Sequence, residues 1–197
     1  MAKLKSFTIF SLCIATLALT LSFGPGLEQD TSAANFLPQN PPDTLIWQVL
    51  PSKTLEPTNS FSLYTAPPTQ YVVYGHRKYG INLDWTKSEP NNFSLERASG
   101  GTGPITYGEV LALRERTGGY VYYKSRKYGI NLEFSGTPVY EWEVRGGKNG
   151  NPVAPRNLGD STAFISDVLI SLYNRTRNCY VGYGEREYGI NLVWRGC

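Results

Sequence analysis

From residue 44 onward, apolar and polar residues alternate in short runs that break at turn-forming tips, and no stretch sustains a helical period. The clearest run occurs three times: "YVVYGHRKYGINLDW" from Tyr71, "YVYYKSRKYGINLEF" from Tyr120 and "YVGYGEREYGINLVW" from Tyr180, spaced 49 and then 60 residues apart. Two further elements precede each copy. "SFSLYTAPPTQ", "EVLALRERTGG" and "DVLISLYNRTRN" alternate, as in Val110 and Ala112 or Val168, Ile170 and Leu172, before ending at a turn. Further upstream, "LIWQVLP", "NFSLERA" and "YEWEVRG" place Trp47 and Val49, Phe93 and Leu95, and Trp142 and Val144 in matching positions. Each unit reads as four short strands, with units at about 44–88, 89–137 and 138–197.

Three four-stranded units predict an all-β domain over 44–197 with the architecture of a β-trefoil. In that expectation the first and fourth strands of each unit close a six-stranded barrel, and hairpins of the second and third strands cap it. Closure removes the exposed edges that an all-β chain must otherwise protect. A three-bladed propeller is disfavoured, because propellers need at least four blades around a channel. Alternation along the fourth strand turns Ile81, Leu83 and Trp85 inward and Asn82 and Asp84 outward; the same holds for Ile130, Leu132 and Phe134 and for Ile190, Leu192 and Trp194. Gly80, Gly129 and Gly189 mark bulges or positive φ. Four residues separate paired tyrosines in each phrase (Tyr74 and Tyr79, Tyr123 and Tyr128, Tyr183 and Tyr188), and a local hairpin would stack each pair.

The pattern "DVLISLYN…CYVGY…INLVW" resembles the β-trefoil superfamily, which includes ricin-type lectin and fascin-like domains, over about residues 44 to 197. Ricin-type lectins carry a Gln-x-Trp signature in the corresponding strand. Here those positions read Leu83-Asp84-Trp85, Leu132-Glu133-Phe134 and Leu192-Val193-Trp194, so the resemblance extends to the fold and not to the usual sugar site. Kunitz-type trypsin inhibitors share the fold and secretion. Their start motif is missing here, although "GGKNGNPVAPRNLGD" is a long loop able to present a bait segment and accounts for most of the extra length of the third unit.

Ahead of the repeats, Lys3 and Lys5 precede an apolar run from Phe7 to Leu21, the pattern of a secretory signal peptide over residues 1–34, followed by an extended leader, residues 35–43. Cleavage is expected after Ser32, Ala33 and Ala34, with an earlier cut near "GPGLEQD" as the alternative. The run is too short for a spanning helix, and no later segment is apolar enough to cross a bilayer. The expected destination is extracellular or periplasmic. Of three cysteines, Cys13 leaves with the signal, so Cys179 and Cys197 are expected to form a disulfide. The net charge of +3, unchanged by cleavage, lacks the clustered basic face of a nucleic-acid binder.

Candidate chemistry lies in the repeated phrase. Arg77, Arg126 and Arg186 recur two residues before Tyr79, Tyr128 and Tyr188, and a planar donor fork beside an aromatic face suits hydroxyl-rich or anionic ligands such as glycans. Asn82, Asn131 and Asn191 occupy outward positions, where they either contact ligand or satisfy a loop backbone. His76 has no nucleophilic partner, the carboxylates Asp84 and Glu133 are matched by Val193, and metal-ligand spacing is absent. No enzyme, cofactor or metal site is therefore expected. The leading expectation is a secreted, lectin-like module that binds a glycan or glycoprotein surface through up to three related sites. The alternative is a protease inhibitor or toxin-associated protein that holds a protein target through the 146–160 loop. Asn92-Phe-Ser and Asn174-Arg-Thr would be glycan acceptors in a eukaryotic source.

Overall fold

A computed structural model describes residues 46–57, 59–66, 68–157 and 166–197. The predicted signal, leader, Cys13 and part of the long loop lie outside the described residues. Among the described residues thirteen strands are formed, every pairing is antiparallel and no helix occurs. The first unit contributes β1 (Trp47–Leu50), β2 (Ser62–Thr65), β3 (Gln70–Tyr74) and β4 (Leu83–Thr86). The second contributes β5 (Phe93–Arg97), β6 (Val110–Glu115), β7 (Gly119–Tyr123) and β8 (Leu132–Ser135). In the third, β9 (Trp142–Arg145), β11 (Ser166–Asn174), β12 (Cys179–Tyr183) and β13 (Leu192–Arg195) are joined by the two-residue β10 (Arg156–Asn157), which pairs with β11.

Register makes the three units equivalent. Val49 faces Leu63, Leu95 faces Leu113 and Val144 faces Leu172. The first strand of each unit also reaches the second strand of the preceding unit: β1 pairs with β11, β9 with β6, and Phe93 bridges Phe61 through reciprocal N–H···O bonds of 2.9 and 2.8 Å. The path β1, β2, β5, β6, β9, β11 thus returns to β1. This circuit uses the first and second strands of each unit, whereas the sequence pattern assigned it the first and fourth. The third and fourth strands instead pair as hairpins, β3 with β4, β7 with β8 and β12 with β13. Alternation alone does not distinguish a wall strand from a hairpin strand, since both have one buried face.

The core repeats with the units. Trp47, Phe93 and Trp142 are buried, as are Val72, Val121 and Val181 and Leu83, Leu132 and Leu192. These nine, with Leu63, Leu113 and Leu172, line an apolar cavity of about 30 Å³. Trp47 and Trp142 each donate the indole N–H to a hairpin carbonyl of the preceding unit, Trp47 to Val181 O at 3.0 Å and Trp142 to Val121 O at 2.7 Å. In β6 the buried phase is one residue off the expected one: Leu111 and Leu113, not Val110, join the hydrophobic core.

Leaving the Leu50 end of β1, the chain enters a loop in which Leu55 donates to Val153 O at 2.9 Å, Val153 to Ile105 O at 2.8 Å and Ile105 to Leu55 O at 2.7 Å. All three residues are buried. One loop from each unit thus closes a three-membered hydrogen-bond ring at this end of the circuit. The segment around Val153 is therefore fixed by the fold, although it belongs to the loop expected to present bait. The Cys179–Cys197 disulfide is formed, with a Cα–Cα distance of 4.6 Å, and ties the chain end to β12.

Candidate functional site

The hairpin tips carry the repeated phrase, and the fold brings all three together. Within each tip the Asn side chain accepts the backbone N–H of the Arg five residues earlier: Asn82 from Arg77 at 3.1 Å, Asn131 from Arg126 and Asn191 from Arg186, both at 3.2 Å. Leu83, Leu132 and Leu192 each donate to the carbonyl two residues back, so Ile-Asn-Leu forms a tight turn and the fourth strand begins only at Leu. Ile81, Ile130 and Ile190 are buried beneath it, while Trp85, Phe134 and Trp194 pack on the core only in part.

At the centre stand Gly80, Gly129 and Gly189, with φ of 82°, 76° and 82°. A Cβ on Gly129 would lie 2.7 Å from the Cα of Gly80, and one on Gly189 would lie 3.2 Å from the Cα of Gly129. Glycine is required here both by positive φ and by mutual approach. Just outside, Tyr79, Tyr128 and Tyr188 form a triangle with ring centroids 5.3, 5.4 and 5.4 Å apart, exposed at 37, 40 and 39%. The expected stacking within each phrase does not occur. Tyr74 packs on Phe134, Tyr123 on Trp194 and Tyr183 on Trp85, always in the next unit around the circuit. Convergence of the tips separates each tyrosine pair.

The arginines are engaged by the fold to different degrees. Arg77 donates Nε to Leu83 O at 2.6 Å and Nη1 to Gly189 O at 3.0 Å, and pairs with Asp84. Arg186 reaches Gly129 O at 2.5 Å, and Arg126 reaches Leu132 O at 3.1 Å. Arg77 and Arg186 therefore stitch neighbouring tips together, and all three asparagines hold their loops. The outermost groups are the tyrosine rings and residues that sequence reasoning passed over: Lys78 and Lys127, each with Nζ 5.3 Å from the centroid of its neighbouring tyrosine, and Glu187. The Glu187 carboxylate accepts the Tyr188 hydroxyl and raises its pKa above the usual phenol range, helped by partial desolvation. A groove of about 360 Å³ between the first two tips is lined by Lys78, Tyr79, Arg126, Lys127, Tyr128 and Glu133. Periodic repetition of the dipeptide before Tyr-Gly was the signal available for these lysines.

Among the described residues no group of three or more His, Cys, Asp or Glu is placed to hold a metal, and no helix is long and apolar enough to cross a membrane. His76 packs edge-on against Tyr74. The asparagines of both sequons are buried: Asn92 Nδ2 donates to Glu115 at 3.0 Å and Asn174 Nδ2 to Glu141 at 2.8 Å, so neither amide is presented for modification in the folded protein. Comparison with protein-family models, curated proteins and solved structures gives no match for this chain.

Proposed function

We propose that this chain is a secreted, non-enzymatic binding module of β-trefoil type that engages glycans on the face built by its three repeated phrases. The observation that carries the reading is the exposed triangle of Tyr79, Tyr128 and Tyr188. Contiguous exposed aromatic surface marks an interaction site, and a phenol ring offers an apolar face to sugar C–H groups with a hydroxyl at its edge. Lys78 and Lys127 add ammonium donors beside two of the rings, and the groove between them accepts a branch or an anionic substituent. Because the tips converge, the repeats supply one composite face in place of three separate sites. Supporting the trefoil reading are the cyclic pairing of first and second strands and the hairpins that follow them.

The test is a glycan-array screen of residues 35–197 beside the variant with Tyr79, Tyr128 and Tyr188 all changed to Ala. Specific binding by the parent and its loss in the folded variant is the expected result. Binding that survives the triple replacement, or a blank array for the parent, overturns the assignment.

A further inference from the structure

Internal repetition allows one unit to report what another lacks. In the third unit Glu143 fills the outer face of the wall between β9 and β11: its carboxylate pairs with Arg145 at 2.7 Å and with Arg175 at 3.4 Å, while Arg145 lies 3.4 Å over the ring of Tyr173 and donates to Tyr180 OH at 3.2 Å. Register identifies the same positions in the second unit. Glu143 faces Tyr173 as Ser94 faces Arg114, and Arg175 and Arg116 both donate their backbone N–H at 2.8 Å to the residue preceding the first strand. The Glu143 position is thus Ser94 and the Arg145 position is Glu96, so the carboxylate of this unit stands two residues further along the strand, while the base at Arg116 is kept and a second, Arg114, replaces the tyrosine.

A groove of about 210 Å³ opens there, lined by Ser60, Asn92, Ser94, Glu96, Arg114 and Arg116 among others. Glu96, the one carboxylate in it, accepts the hydroxyls of Tyr120 at 2.5 Å and Tyr140 at 3.3 Å and makes no ion pair with either arginine. Arg114 stacks over Tyr120 at 5.6 Å. Among the described residues no side-chain partner faces Arg116. Asn92, which is 6% exposed, gives its amide N–H to Glu115 while its Oδ1 remains buried without a donor. Buried acceptors of this kind are rarely left empty in a folded protein.

We infer that this groove binds a small carboxylate that carries neighbouring hydroxyls, a sugar acid in chemical class. The carboxylate takes the place that Glu143 holds in the third unit and receives charge-assisted bonds from Arg114 and Arg116; a hydroxyl donates to Asn92 Oδ1. The volume is below the roughly 300–1,000 Å³ of sites for drug-sized ligands, which fits one sugar-acid unit. The first unit has Gln48, Tyr64 and Ala66 at the corresponding positions, so the site is confined to the second. It does not depend on the tyrosine face.

Titration of residues 35–197 with glucuronate, followed by calorimetry and by amide chemical shifts, tests the inference, with glucose and inorganic sulfate as controls. Binding of glucuronate, with weaker binding of both controls, is expected. Arg116→Gln should weaken it by about tenfold, the equivalent of one charge-assisted hydrogen bond. Ser94→Glu, which restores the carboxylate of the third unit, should abolish it. If Ser94→Glu does not fold, Arg116→Gln decides. No glucuronate binding, equal binding of glucose or sulfate, or unchanged affinity in the variants overturns the inference.

Discussion

At the scale of single residues, the most constrained positions are those where three copies of one residue meet. Gly129→Ala should destabilise the protein by about 1–3 kcal/mol in chemical denaturation, from strained φ and the 2.7 Å approach to Gly80 together. Gly80→Ala, with its nearest contacts at 3.4 Å, should cost less. Tyr120 supplies a pH-dependent term. Its hydrogen bond to Glu96, with burial, holds the phenol above its ordinary value of 10.0. Because the folded pKa is the higher one, this stabilisation is complete below about pH 10 and is lost as pH rises through the folded value. Denaturation curves of the parent should therefore weaken in the alkaline range, and Tyr120→Phe should remove part of that slope. Glu109 behaves in the opposite sense. Burial opposes its ionisation, but Arg97 and the Thr106 N–H hold its carboxyl below the usual range. Its contribution is present at neutral pH and lost on acidification through the folded value.

Among the elements, hydrophobic alternation revealed the four strands of each unit, while partner choice stayed hidden. Trp47 and Trp142 illustrate the reason. Their burial is readable from apolar spacing, but the indole bonds to Val181 and Val121 join residues 134 and 21 positions apart and follow from closure alone. Trp142→Phe, which copies Phe93, should cost about 1–3 kcal/mol, the lost hydrogen bond together with the space left by the smaller ring, as measured by denaturant midpoint. The disulfide was legible by counting cysteines, and its removal by Cys197→Ser should cost ~3 kcal/mol by the loop-closure estimate. In the candidate site, the tyrosines, arginines and asparagines were legible as a repeated set. Their division of labour was not, because whether Arg77 faces solvent or Gly189 O depends on a neighbour 112 residues away.

For the whole molecule, neither end of the circuit is complete without all three units. The ring of Leu55, Ile105 and Val153 and the cluster of Gly80, Gly129 and Gly189 each take one member from every unit. A fragment of residues 44–137 would leave β1 and β6 without their partners β11 and β9. It should therefore show no cooperative thermal transition by circular dichroism, while the 35–197 chain unfolds in one step. Independent melting of the fragment would show that two units suffice.

The glycine cluster has a further consequence for the aromatic triangle outside it. Backbone closure, and not side-chain packing, fixes where residues 79, 128 and 188 stand, so the positions are set before any side chain is chosen. Variation at these three sites and at their neighbours 78, 127 and 187 should alter recognition at little cost in stability. The hairpin tips thus form a scaffold for a combinatorial library, with a triangular footprint whose chemistry can be rewritten while the strand pairing beneath it stays the same.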